Sequence, residues 1–374
     1  MRGSMRVEPV LFEDFQAITD LMQRLGMAVP ESKARSKQFW AGLWLENPAL
    51  GHFEGLPELG WKIISNNRLV GFFGNIPQIS WIRSQKVLVS TARAWAVERE
   101  FRWAVPQLCE AFFNRNTIDL VIISSANKPA SKRCLEFGGS QMPESSYQEV
   151  FYWIVSPSGF SQSLLRKIGV PNKLLRIGKF ADLLPLRPLF AAALENQDRQ
   201  SIEEIPLKSL GRQFDNFWSR MQVDYADRLL ATRDSKTLRW YFGLSGNAKE
   251  TKFFGHFENG ILKGYIVVVR DDVSLVNLRR LRIADLVVLD ENQSAVKKLI
   301  AAAYSEAKAQ GCHILELTGL PPAIREIIST LKPFRRKMQT FPFYFRALSA
   351  DLANQLSQAN SWYVTAYDGD SAIY

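Results

Sequence analysis

The chain has 374 residues, 47% of them hydrophobic and 22% charged. That balance excludes an intrinsically disordered chain, and the length exceeds what one core usually fills, so two domains are expected. The net charge of +10 favours anionic partners such as phosphorylated cofactors or anionic lipid, while the absence of a long Lys/Arg block argues against a DNA-binding arm. Cys109, Cys134 and Cys312 are too few for a disulfide framework and lack CxxC spacing. A reducing, cytoplasmic setting is therefore expected. His52, His256 and His313 show no metal-ligand spacing, so no metal site is expected. There is no GxSxG elbow, no leader-like apolar stretch in residues 1–25 and no run long enough to span a bilayer.

Residues 5–9 predict a short strand. Phe15, Ile18, Leu21, Met22 and Leu25 recur at helical spacing, ended by Gly26. A second helix runs from Ser32 and stops before Pro48. Two strands flank an Asn66-Asn67 turn, a hairpin signal. A strand follows over 86–98, then a helix over 101–116 with an early Pro106, tolerated in a first turn. Residues 118–127 read as a buried strand, 128–139 as a short helix ending at Gly138-Gly139, and 148–155 as a closing strand. The central β-α-β can bring two strands side by side and parallel through a right-handed crossover.

Residues 157–200 are rich in leucine and base and broken by Gly169, Pro171 and Pro185. They read either as a basic amphipathic insert lying on a membrane surface or assembly complex, or as a helical linker packing its leucines on the protein. From 201 the order repeats: a helix near 233–242, a hairpin through Glu258-Asn259-Gly260, a strand over 278–291, a helix over 294–311, a buried strand, a helix and a last strand. Asp119 and His313 open corresponding strands, about 190 residues apart. The simplest division is unit one at 5–156, the insert at 157–200, unit two at 201–350 and a tail at 351–374.

Val97-Glu98-Arg99-Glu100-Phe101-Arg102-Trp103, followed by Leu108, resembles the fourth-strand motif V-x-P-E-Y-R-G-x-G-x-G of the GNAT acyl-CoA-dependent N-acyltransferases. Proline is replaced by Arg99, and the glycines are missing. Asn127, Ala130, Cys134 and Gly138 match the spacing of the family's N-x-x-A-x-x-x-Y-E-x-x-G. The resemblance covers 5–155 by motif and 201–350 by element order. It implies an α/β fold of two GNAT-like units, each a mixed, mostly antiparallel sheet with a central β-α-β and flanking helices. It also implies acetyl-CoA or another acyl-CoA as cofactor and a small amine as acceptor. The stretch 361–370, SWYVTAYDGD, together with the LRWYF segment, looks like acyltransferases of bacterial polysaccharide assembly, which makes an amino sugar an acceptor class.

In such enzymes backbone N–H groups at a helix N-terminus hold the cofactor pyrophosphate. Here that role falls to Arg99, Arg102, Trp103 and Ala104, with the two arginines supplying charge in place of the glycines' close approach. Trp95, Ala96 and Val97 would offer backbone groups to the pantetheine arm. Asn127 would bond that arm or cap its helix. Glu98 is the candidate base. Cys134 stands where the family often has a tyrosine acid, or is simply a small buried hydrophobe. In the second unit Asp290 and Glu291 would repel phosphates, so no cofactor is expected there. Two other functions share the fold: a Fem-type transferase using aminoacyl-tRNA, and a non-enzymatic scaffold.

Overall fold

The computed structural model describes residues 5–171, 173–175, 178, 194, 201–244 and 251–373. Its first half runs β1 (Met5–Pro9), α1 (Phe15–Arg24), α2 (Lys33–Trp44), β2 (Gly60–Ser65), β3 (Arg68–Ile82), β4 (Gln85–Val97), α3 (Val105–Phe113), β5 (Leu120–Ile123), α4 (Lys128–Glu136), β6 (Ser140–Gln141), β7 (Glu149–Ile154) and α5 (Pro157–Lys167). The second runs β8 (Ile202–Ile205), α6 (Arg212–Asp224), β9 (Leu230–Ala231), α7 (Ser235–Gly243), β10 (Thr251–Glu258), β11 (Ile261–Arg270), β12 (Arg280–Val288), α8 (Gln293–Ala309), β13 (Ile314–Leu317), α9 (Pro322–Ser329), β14 (Phe334–Lys337), β15 (Tyr344–Ala347) and α10 (Ala350–Leu356).

Local chemistry accounts for many of the boundaries. Asn66-Asn67 and Asn259-Gly260 both take positive φ, as a two-residue hairpin turn demands. Arg83-Ser84 does the same between β3 and β4, a hairpin without the usual residues. Ser32, Asn127, Asp234, Asn292 and Ser349 cap α2, α4, α7, α8 and α10 through their side-chain oxygens.

The strands form two mixed sheets. One has the order β1-β2-β3-β4-β5-β15-β6, with β9 pairing the far end of β3; the other has β14-β7-β13-β12-β11-β10-β8. Both repeat one connectivity, with a single parallel pair at the centre: β4 with β5, and β12 with β13. The sheets cut across the expected boundaries 5–156 and 201–350. Strand β7 inserts between β13 and β14 of the second sheet, and β15 between β5 and β6 of the first. Each half therefore donates its last strand to the other, because β5 and β13 otherwise expose an unpaired edge.

Three apolar clusters follow this layering. An outer one lies under α3 and α4, and another under α8 and α9. Between the sheets, α1, α2, α6 and α7 share a core that includes Trp40, Trp44, Phe72, Phe217 and Tyr265. Into this middle layer runs the C-terminal tail. Residues 361–373 are buried except for half-buried Ser371. Of the 157–200 insert, α5 forms the first part, and most of the rest lies outside the described residues. No helix among the described residues is long and apolar enough to cross a membrane.

Candidate functional site

Each central parallel pair splays apart. Strands β4 and β5 pair only over Val89–Thr91 and Leu120–Ile122, while β4 continues to Val97. A bulge turns it away: Gly74 faces Arg93 and Phe73 faces Trp95, so Ala94 is the extra residue, with φ of 52°. The second sheet repeats this with β12 and β13 paired over Arg280–Ile283 and Ile314–Leu317, and a register shift at Ala284. Beyond each pairing the strand edges carry backbone groups that β-partners do not satisfy.

The two openings differ in what lies in them. In the second, the tail lies against the strand edge and pairs with it through an isolated bridge. Leu320 N donates to Val364 O at 2.7 Å, Gly319 bridges Thr365, and Tyr363 Oη donates to Leu286 O. Beneath it sits a buried charge cluster. Arg233, with a fully buried side chain, donates to Asp285 at 3.0 Å and to Asp368 at 2.8 Å. Tyr265 and Thr365 hydroxyls each donate to Asp285 at 2.8 Å. Burial alone would depress the Arg233 pKa, but the two carboxylates outweigh it and raise it well above its ordinary value. Burial pushes Asp368 up against the pull of the guanidinium. The adjacent Asp234 caps α7 and takes no part in this cluster.

In the first opening the tail touches only the inner end. Ser124 and Ser125, just past β5, each donate a hydroxyl to Asp370 Oδ1 at 2.9 Å. Asp370 N returns a bond to Ser124 at 3.0 Å. From the other strand, Arg93 Nη1 donates to Ile373 O at 3.0 Å and lies 3.5 Å from the Asp370 carboxylate. Gly369, at φ of 106°, lets the tail press on Ser124; a side chain there would overlap it. Sequence reading missed Arg93, Ser124 and Ser125 altogether. Asp370 lies in the 361–370 stretch, which the sequence singled out only for its resemblance.

At the outer end, residues 99–104 form a 3-10 turn that runs directly into α3. No residue from Glu98 to Ala104 has positive φ, so the loop needs no glycine to close. Ala104 is buried, while Arg99, Arg102 and Trp103 are exposed. Neither Arg99 nor Arg102 has an ion-pair partner among the described residues. Trp95 stacks on Phe73, with centroids 4.6 Å apart, and Ala96 and Val97 are buried on opposite faces of β4. Asn127 caps α4, accepting from Ala130 N at 3.0 Å.

Glu98 turns away from the opening. Arg68 and Arg24 both grip its carboxylate, at 2.6 and 2.9 Å. Burial pushes its pKa up, but the bonds and charges of the two arginines hold it below the ordinary value, which makes it a poor base. Cys134 is buried in the outer core, and burial pushes its thiol to about 12, far from a ready proton donor. Just past β12, Glu291 pairs with Arg228 at 3.1 Å.

A small cavity of about 90 Å³ opens on the middle layer, lined among others by Gln78, Thr232, Asp234, Lys236, Trp240 and Tyr367. A smaller one beside it shares Gln78 and Ala231 and reaches Asp368 and Gly369. Of the nearby aromatics Trp218, Trp240, Tyr241 and Phe242, the first and the last two are buried core. Only Trp240 reaches the cavity, with its Nε1 bonded to Gly42 O at 2.7 Å.

No protein-family model matches the sequence, and no curated protein sequence matches it. Solved structures do match. A probable N-acyltransferase from Enterococcus faecalis superposes with a TM-score of 0.58 at 11% identity, covering 92% of this chain and 72% of that one. A GCN5-related N-acetyltransferase from Anabaena variabilis gives 0.56 at 14% identity, covering 92% and 73%. Saccharomyces cerevisiae N-myristoyltransferase, solved with bound myristoyl-CoA, gives 0.53 at 12% identity, covering 93% and 80%. At such identities the likeness concerns the fold, and with the two splayed, bulged strand pairs it establishes that this chain has the GNAT fold over most of its length.

Proposed function

We propose that this protein is an acyltransferase that moves an acyl group from acyl-CoA to an amine, with two GNAT-like units in tandem of which only the first takes the cofactor. The difference between the two openings carries this reading. The second holds the chain's own tail along its edge, whereas β4 from Ala92 to Val97 has no strand partner on the β5 side among the described residues. A pantetheine arm satisfies such an edge, and Arg99, Arg102 and the turn at 99–104 suit its phosphates.

At the inner end the thioester would meet Asp370. The amine nitrogen would attack the thioester carbonyl while its proton passes to the Asp370 carboxylate, the C–S bond would break, and the departing thiolate would take that proton from Asp370 and leave as the thiol. The acceptor enters from the middle-layer cavity. Its lining of Gln78, Thr232, Asp234, Lys236 and Trp240 suits a hydroxylated amine such as an amino sugar. Acetyl-CoA is the simplest donor.

Calorimetric titration with acetyl-CoA and longer acyl-CoAs tests this. Saturable binding is expected, weakened at least about tenfold in Arg102→Glu, because a charge-assisted phosphate contact becomes a repulsion. Absence of binding to any acyl-CoA would overturn the reading. RNA co-purifying in its place would transfer it to aminoacyl-tRNA chemistry.

A further inference from the structure

We propose that α5 and the loop between β11 and β12 form a docking surface for an anionic phospholipid bilayer. Helix α5 turns one side to the protein. Gly159 lies against the His313 ring, and Ser163 Oγ donates to Asn277 O at 3.0 Å. The other side leaves Leu164 49% and Ile168 68% exposed, and Leu174 just beyond is 52% exposed. The Ser163 bond pins the neighbouring loop, whose 3-10 turn Ser274–Val276 packs against α5. Leu275 at its tip is 91% exposed. Single exposed aliphatics are ordinary; Leu164 and Ile168 one turn apart at the end of α5, with an exposed leucine on the segment packed against that helix, mark an interaction surface.

Charge says what covers it. Arg166, Lys167, Lys173 and Arg279 accompany these side chains; none forms a salt bridge among the described residues, and Arg279 acts on Asp272 only through its charge. From Pro157 to Ala181 the sequence contains five Lys or Arg and no Asp or Glu. Between α5 and the loop lies a polar cavity of about 340 Å³, lined among others by Arg166, Arg279, His313, Ser156 and Gln162. The Arg279 Nε lies 3.0 Å from His313 Nε2, which orients the guanidinium. Two guanidinium groups and hydroxyls in one cavity suit a phosphate headgroup, while Leu164 and Ile168 on the opposite side of α5 suit the acyl boundary. A soluble protein partner of like chemistry would need an acidic apolar face; a bilayer supplies both properties over any area.

The surface is separate from the proposed cofactor site, so its test does not depend on catalysis. The intact protein is floated with phosphatidylcholine vesicles, with and without about one third phosphatidylglycerol. Binding to the anionic vesicles only is expected. It should fall by roughly tenfold or more in Arg166→Glu/Arg279→Glu and in Leu164→Glu/Leu275→Glu, with thermal melting of both variants unchanged. Failure of the wild type to bind anionic vesicles overturns the proposal. So does loss in the arginine variant alone, which would mean that a basic protein merely adheres by charge.

Discussion

Single side chains set the chemistry available in the first opening. Asp370 accepts two serine hydroxyls on Oδ1 and faces Arg93 through Oδ2, so an amide retains the serine bonds while removing the proton-accepting charge and the long contact with Arg93. In Asp370→Asn, acyl-CoA affinity is expected to stay unchanged while turnover with an amine falls on the order of a hundredfold or more; a combined calorimetric and kinetic comparison reads both. Reduced affinity with unchanged turnover would exclude Asp370 as the base. His313 offers a pH signature. Burial first, and the Arg279 charge second, push its pKa from 6.5 to about 4. Between those values the unfolded chain binds the extra proton, so stability rises with pH. Its contribution is complete above pH 6.5 and lost as pH falls toward 4. Urea midpoints between pH 5 and 7 should climb in the wild type and flatten in His313→Asn, a comparison that also absorbs the carboxylates titrating lower.

Among the elements, the tail does most to distinguish the two halves. Its Thr365 and Asp368 complete the partnership of Arg233 with Asp285 under the second opening. Removing one member of a buried charge cluster leaves the others uncompensated, typically at about 3 kcal/mol or more. Asp368→Ala should therefore lower the urea-unfolding free energy by about 3 kcal/mol; a change under about 1 kcal/mol would mean that water replaces the carboxylate freely. Helical spacing of Phe214, Phe217, Trp218 and Met221 made α6 legible, although the sequence reading passed over it. Strands β8 and β14 were not legible, because short polar edge strands carry little periodicity.

For the whole molecule, the exchange of β7 and β15 decides what folds alone. A fragment of residues 5–156 keeps β7 without its partners and leaves a gap between β5 and β6 where β15 belongs. It is expected to be unfolded or aggregated, with neither cooperative melting nor a dispersed amide spectrum, whereas two independent domains would give a folded fragment. The same exchange, with the tail between the sheets, leaves the halves no simple hinge.

Much of this protein was decided by local residue order. Periodicity, turn asparagines and capping side chains placed the hairpins, α1, α2, α8 and the buried strands β5 and β13, since each depends on neighbours in sequence. The resemblance in residues 97–138 led to the GNAT fold. Side-chain destinations were decided in three dimensions. Glu98 found two arginines, Cys134 entered the core, Asn127 capped its helix, and Asp370 crossed the molecule to Ser124. A strand's unpaired edge accepts whatever chain reaches it. Whether β7, β15, the tail or a ligand lies there is a tertiary outcome, and no periodicity in the sequence encodes it.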